Sequence, residues 1–406
     1  MNIAYVYPWD VVGDPAAPER IAALGVDAVA LAASYHSTRA ATPFHPAHRV
    51  LDVPYSAFYL PVRQAAWGRL VPPNPTWTAA DAFLQARDAL RAVGLPVHAW
   101  IVLTHSSHLG AAHPDVVVRN AFGDAYPYAL CPSHEDVAEY CERMVREIVS
   151  VGAPDGLILE ACGPMGFGHQ SVHEKTGGAD WTSVHSALLS LCFCTACRPG
   201  YTDADELQAR VRTAIDGPAS PDTASTIPLG TSGTTPAHTV EGGVAGRGPV
   251  EPGSVEEALG ESAGPVQERR GRLASSLRAR LVAAARELAP GLPIRTHANP
   301  DPWAAGPFAT LPDADPTLDG LVGMCWGSHE EATSNLTRLS ALASPGQRLG
   351  AYVLFLPPKP ADEARLAESF TAYTKAGADE LHLYHVGLAS PSRLNALTKA
   401  LRIFQS

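Results

Sequence analysis

A short punctuation recurs along this chain, and it constrains the fold more than any other feature. Helical pattern rich in Ala, Leu and Arg gives way to Gly-Val-Asp27, Gly-Leu-Pro96, Ala-Pro-Asp155, Gly-Leu-Pro293, Leu-Asp319 or Gly-Ala-Asp379, and a short apolar run follows each. A Gly in such a place closes a helix in a left-handed cap and turns the chain directly into a buried strand. With the first run and 349–356, which carry no such signature, there are eight apolar segments: residues 3–7, 27–33, 97–103, 157–160, 294–297, 320–326, 349–356 and 380–384. Near-continuous apolar strands alternating with helices belong to a parallel sheet covered on both faces. Eight of them predict an α/β fold of the (β/α)8 TIM-barrel type. An open doubly wound sheet is the competing architecture, but no G-x-G-x-x-G follows the first strand.

With 406 residues, 46% of them hydrophobic, the chain is long enough for one large barrel, and residues 1–406 are read as a single barrel domain. Residues 216–264 stand apart, being rich in Gly, Ser, Thr, Pro and Ala with neither a helical nor a strand period. Too little apolar surface is present there to offset the entropy of ordering it. The segment is expected to be a disordered insertion between strands four and five, with no part in the chemistry. A formal charge of −11 argues against a nucleic-acid partner, which requires a basic surface. The N-terminus lacks the basic and apolar regions of a signal peptide, and no apolar run approaches the roughly 20 residues that span a bilayer. These features predict a soluble cytoplasmic protein without a membrane partner, and leave oligomerisation open.

In a barrel of this kind the active site lies at the carboxyl ends of the strands. Those ends carry Tyr7, Trp9 and Asp10; His36 and Arg39; His105 and His108; Glu160; His297, Asn299, Asp301 and Trp303; Trp326, Glu330 and Glu331; and His382 with His385. Aromatic rings beside groups that bond hydroxyls suit a small carbohydrate or glycoside. Tyr7, His36, Arg39, His105, His297, Trp326 and His385 are the expected substrate-binding set. Glu160 is the sharpest catalytic candidate. A carboxylate closing so apolar a strand is expected to have a raised pKa, as a general acid needs. The competing account is a structural carboxylate bonded to a neighbouring Arg or His. Glycoside cleavage needs a second carboxylate across the cleft. Strand seven ends in Leu356-Pro-Pro358 and offers none; Asp301 is the best-placed substitute, followed by Glu330, Glu331 and Asp10.

Seven cysteines, three of them in Cys192-Phe-Cys-Thr-Ala-Cys197, do not read as a disulfide framework. Thiolates crowded on one turn point to a metal. Tetrahedral zinc needs a fourth ligand, for which Cys131, Cys162, His169 and His173 are candidates. Cys141 and Cys325 fit helix and strand patterns and read as buried apolar residues. A closed four-thiolate site would be structural. A three-thiolate site with an open position would make the protein a zinc-dependent hydrolase, with His169 and His173 contributing.

Three motifs occur in a familiar order: Tyr128-Ala-Leu-Cys131-Pro-Ser, Gly156-Leu-Ile-Leu-Glu160, and the cysteine cluster. Over residues 126–200 the chain resembles the family 42 glycoside hydrolases, β-galactosidases with a four-cysteine zinc site. It also resembles glycosidase-like barrels with a Tyr-His segment after strand two and a His-rich stretch before Leu-Cys-Phe-Cys. The resemblance implies structural zinc on Cys131, Cys192, Cys194 and Cys197, with Glu160 as general acid/base of a glycoside hydrolase. Two positions depart from the pattern: Leu159 where that family has Asn, and Leu356-Pro-Pro358 where it has its nucleophile. The alternative function is therefore a carbohydrate-binding barrel that lacks the nucleophile.

Overall fold

The computed structural model describes residues 1–168, 175–217 and 253–405. Eight parallel strands follow one another around a closed barrel: β1 Asn2–Val6, β2 Ala28–Tyr35, β3 Val97–Val102, β4 Gly156–Glu160, β5 Ile294–Asn299, β6 Gly320–Met324, β7 Arg348–Leu354 and β8 Glu380–Tyr384. Strand β1 pairs with both β2 and β8, so the barrel has no free edge. Helices cover its outside: α1 Ala17–Ala22, α2 Ala82–Ala92, α3 Glu135–Glu147, α4 Ala263–Leu288, α5 His329–Leu342, α6 Glu363–Lys375 and α7 Pro391–Gln405. Between β5 and β6 a loop replaces the helix, and its short strand Ala309–Thr310 pairs with the end of β5.

The aspartates of the recurring punctuation knit the amino-terminal rim in pairs. Asp27 Oδ2 accepts the N–H of Asn2, Asp155 Oδ2 that of Val97, Asp319 Oδ2 that of Ile294 and Asp379 Oδ2 that of Leu349. Each aspartate N–H in turn donates to the carbonyl of the same residue. Every even strand is thereby clamped to the start of the odd strand before it, at its first residue in β1, β3 and β5 and its second in β7. This satisfies backbone groups that the start of a strand would leave unpaired. Gly25, Gly94 and Gly377 take the left-handed conformation expected of a helix stop, at φ 77°, 84° and 106°. Ala153 does so at the third site, with φ 39°, whereas Gly291 is not among the positive-φ residues.

The barrel interior is more polar than the apolar runs imply. Side chains alternate between the two faces of a strand. Buried polar and aromatic residues therefore enter the lumen as His98 and Trp100 from β3, Arg295 and His297 from β5, and Glu380 and His382 from β8. Glycines on neighbouring strands leave room for them. A Cβ at Gly350 would lie 2.6 Å from the His382 ring, and one at Gly156 would lie 3.1 Å from His98.

The connection from β4 to α4 forms a separate helical layer. Helices Ser183–Leu189, Ala204–Asp216 and Val255–Leu259 pack around Leu188, Phe193, Leu207, Val211, Leu259 and Trp303. Of the insertion expected over 216–264, residues 218–252 lie outside the described residues. The part from 253 onward is structured: Ser254 caps the helix Val255–Leu259, and α4 starts at Ala263. Val255 and Leu259 supply the apolar contacts that hold it, and the Gly/Ser-rich composition of its neighbours hid them. No helix among the described residues is long and apolar enough to cross a membrane.

Candidate functional site

Glu160 ends β4 inside the barrel mouth and is 5% exposed. Trp100 Nε1, from the adjacent β3, donates to its Oε2 at 2.6 Å. His297 Nδ1, from β5 on the other side, lies 3.3 Å from the same oxygen, within ion-pair reach but off the line of a straight hydrogen bond. Burial alone would push the Glu160 carboxyl up. The contacts with His297, the nearby charge of His36 and the Trp100 hydrogen bond outweigh it and hold the carboxyl below its ordinary value. The raised pKa expected from the sequence is thus overturned. The adjacent Leu159 lies on the opposite face of the strand, while the lumen side of the carboxylate meets donors.

A connected set of rings surrounds this carboxylate. Tyr7 stacks on His385 at 4.1 Å and meets Tyr35 edge-on at 4.7 Å; Tyr35 meets Trp100 at 4.8 Å and stacks on His36 at 4.1 Å. His36 in turn stacks on His105 at 4.4 Å. On the other side, Phe308 lies on His297 at 4.4 Å, and Tyr352 stacks on Trp326 at 5.5 Å. The helix-free β5–β6 loop makes the Phe308 contact possible: Ala161 N–H donates to Pro307 O at 2.8 Å and draws that loop over the mouth. Tyr7, His36, His105, His297, Trp326 and His385 therefore fall in one cluster around Glu160.

Two residues expected at the site are placed elsewhere by their contacts. Arg39 is exposed on a hairpin, Thr38–Ala41 with Val50–Val53, where it pairs with exposed Asp52 at 3.2 Å. Asp301 is exposed in the loop after β5, and its Oδ1 accepts the Trp303 N–H at 2.9 Å. Glu330 and Glu331 are also exposed, and Glu331 caps the start of α5 through Ser328. Asp10 is the buried member of the four possible second carboxylates. Its Oδ2 accepts the Tyr7 N–H at 2.8 Å and lies 3.9 Å from His385 Nδ1; burial pushes its carboxyl up to about 7.

Several cluster members were not singled out from the sequence: Tyr5, Trp100, Phe308, Tyr352 and Tyr384. For the strand residues a signal existed. His98 with Trp100, Arg295 with His297, and Glu380 with His382 and Tyr384 stand at alternate positions, which places each set on one face. Phe308, in a loop, left no such trace.

The cysteines also converge. Sγ of Cys131, Cys192, Cys194 and Cys197 lie within 4.8 Å of one another, and all four residues are buried. The Cys131 sulfur is 3.5, 3.8 and 3.7 Å from those of Cys197, Cys192 and Cys194. A tetrahedron with Zn–S bonds of about 2.3 Å has edges of about 3.8 Å, so the set fits a four-thiolate ion and none of these contacts approaches disulfide length. Ser133 Oγ lies 3.1 Å from Cys197 Sγ, and the Arg119 N–H points at Cys192 Sγ from 3.5 Å, as donors around thiolates do. Crowding by the other three sulfurs pushes the Cys131 thiol well up, a cost that a bound cation removes. Cys162, Cys141 and Cys325 are buried outside this set. His169 and His173 lie outside the described residues.

The sequence matches no family model and no curated protein sequence. Solved structures do resemble it. The glycoside hydrolase domain of PgaB (BpsB) from Bordetella bronchiseptica superposes with a TM-score of 0.53 at 15% identity, over 98% of each chain. The α-L-fucosidase isoenzyme 2 from Paenibacillus thiaminolyticus gives 0.53 at 12% identity, covering 99% of this chain and 49% of its own. A family 42 β-galactosidase from G. stearothermophilus gives 0.52 at 12%, covering 100% and 56%. The chain thus spans about half the length of the latter two. At these identities the likeness establishes the barrel, and it is a barrel that glycoside hydrolases use.

Proposed function

We propose that this chain is a carbohydrate-active enzyme of the glycoside hydrolase type, a single barrel in which Glu160 is the acid/base carboxylate. The observation that carries the reading is the setting of Glu160: a buried carboxylate at the end of β4, held by Trp100 and His297 beneath a cluster of aromatic rings. Rings of this kind stack on the apolar faces of sugars, and His36, His105 and His385 offer polar atoms to hydroxyls. Because neighbouring donors favour its anion, Glu160 meets a substrate as a base, and it acts as an acid only after taking up a proton from His297. Buried Asp10 is the candidate opposing carboxylate at the ring cluster, and exposed Asp301 could serve only if its loop folded over the cleft. Separation across the cleft would decide the outcome, about 5–5.5 Å giving retention and about 6.5–9.5 Å inversion. Zinc, held by Cys131, Cys192, Cys194 and Cys197, would be structural. Those four thiolates complete a tetrahedron and leave no open position for substrate.

A panel of aryl glycosides tested against wild type, Glu160→Gln, Asp301→Asn and Asp10→Asn examines this reading. Turnover by wild type that collapses in Glu160→Gln supports it. Equal turnover in both would overturn it. A second reading, carbohydrate binding without hydrolysis, is favoured by one observation: the groups in direct contact with Glu160 are an indole and an imidazole, not a carboxylate. Saccharide binding by calorimetry, without turnover and surviving in Glu160→Gln, would establish it instead.

A further inference from the structure

Glu160 is one end of a line of polar side chains that runs down the barrel interior, hydrogen-bonded from His297 to Arg295. His297 faces Glu160 through Nδ1, and its Nε2 lies 3.1 Å from Tyr5 Oη. Tyr5 Oη lies 3.0 Å from His382 Nδ1, and His382 Nε2 lies 3.3 Å from Glu380 Oε2. Glu380 then accepts both arms of Arg295, each at 2.7 Å. All six side chains are buried.

Counting protons along this line gives a definite result. Carboxylates only accept, so His382 Nε2 must carry a hydrogen, and the Glu160 charge 3.3 Å from His297 Nδ1 favours one there as well. If both imidazoles were neutral, His297 Nε2 and His382 Nδ1 would both be bare, and both aim at one hydroxyl. Tyr5 has a single hydrogen to give. One buried acceptor would then be left unsatisfied, and the six groups would carry a net charge of minus one in a site remote from water. One further proton removes both costs. With one imidazolium, two carboxylates and one guanidinium the line is neutral, and every inner nitrogen has a partner.

We infer that His297, Tyr5 and His382 form a relay holding one proton more than their neutral forms, with Tyr5 as the positioning residue that orients His297 toward Glu160. The extra proton belongs at the His297 end. In that arrangement His297 Nε2–H donates to Tyr5 Oη, Tyr5 O–H donates to His382 Nδ1, and His382 Nε2–H donates to Glu380. Burial, first of all, pushes His382 down to about 4, which suits its role as the neutral acceptor. Other titratable groups face the relay: His98 from β3 beside His382, His36 from β2 toward Glu160, and Tyr352 and Tyr384 from β7 and β8. Proton passage leaves the atom count balanced. Nε2–H of His297 moves to Tyr5 Oη as the Tyr5 hydrogen moves to His382 Nδ1, which exchanges which ring is cationic. When Glu160 takes the Nδ1 proton instead, His297 is left neutral with its Nε2–H still donated to Tyr5 Oη, and return of that proton from Glu160 restores the starting state.

The relay's link to turnover rests on the function proposed above, but its protonation pattern does not, so the two fail separately. The experiment is nitrogen NMR of the full-length protein labelled at histidine, with signals assigned through His297→Gln and His382→Gln. At pH 7 we expect His297 as an imidazolium protonated on both nitrogens, and His382 as the neutral Nε2–H tautomer. Tyr5→Phe keeps the ring that packs against Trp100 and Tyr352 and removes only the hydroxyl. In that variant His297 should lose its Nε2 proton at pH 7 while circular dichroism stays that of wild type. Two neutral rings in wild type would overturn the inference, as would an unchanged His297 pattern in folded Tyr5→Phe. A variant that fails to fold is replaced by Tyr5 carrying fluorine on the ring, which keeps the fold and weakens the relay hydroxyl's basicity. The His297 signals should move on fluorination, and their failure to move would also count against the relay.

Discussion

The Trp100 indole N–H donates to Glu160 Oε2 across 2.6 Å, and this bond joins two neighbouring strands at the point where the chemistry is placed. Hydrogen bonds to charged acceptors contribute about 1.5–3 kcal/mol. Trp100→Phe should therefore raise the pKa of Glu160, because the lost donor favoured the anion. Carbon NMR of the labelled carboxyl reads the shift directly. No upward movement would mean that His297 alone governs Glu160.

Activity should depend on the same carboxylate. If the chain hydrolyses glycosides, Glu160→Gln should lower kcat/KM by roughly 10²–10⁴-fold, the usual contribution of a general acid/base. The Michaelis constant should move far less than kcat. A substitution that altered only KM would assign Glu160 to binding.

The metal prediction concerns stability. Metal analysis of the purified protein should find one zinc per chain bound by the four clustered cysteines. Chelation, or Cys194→Ser, should lower the melting temperature and loosen the β4–α4 layer against Cys131, which follows the hairpin of Val117–Arg119 with Ala125–Leu130. Loss of activity from a protein that remains fully folded would point instead to a catalytic ion.

Acid should destabilise the barrel from inside. His382 and His98 are both pushed down to about 4, in each case chiefly by burial. Between about pH 6.5 and about pH 4 the unfolded chain binds protons that the folded chain refuses, so stability falls as pH falls through that window. Each group contributes up to about 1.4 kcal/mol per pH unit there. Glu380 adds to the loss at lower pH. Its carboxyl is held well below the ordinary range by Arg295 and His382 against the effect of burial, and that stability is present above the unfolded value and lost as pH falls through the folded one. Urea denaturation across this range measures the slope, and a flat profile would contradict the buried neutral histidines.

At the opposite rim, removing one clamp should weaken the barrel without touching the site. Asp319→Ala deletes the acceptor for the Ile294 N–H and the partner of Arg286. A loss of about 1–3 kcal/mol is expected for the unsatisfied backbone donor. Thermal unfolding checks it, and the equivalent Asp27→Ala should behave alike if the four clamps do the same job.

The sequence by itself determined the strand count, the strand order and the rim punctuation. These are local properties: an apolar run long enough for a strand, a residue that stops a helix, an aspartate in reach of the next backbone. It also placed Glu160 at a strand end and the three clustered cysteines on one turn. Tertiary structure decided everything that depends on which side chains meet inside the barrel. Glu160 lies between Trp100 and His297, which come from strands 60 residues earlier and 137 residues later, and their donors reverse the direction of its expected pKa shift. Cys131 joins the cysteine cluster from 61 residues upstream of Cys192. Arg39 and Asp301, at strand ends by sequence, leave the cluster because the loops that carry them turn to solvent. The separation has one physical cause. Local propensity and hydrophobic period fix where a strand begins and ends, whereas hydrogen bonds and charges act across the lumen, between residues that only barrel closure brings within reach.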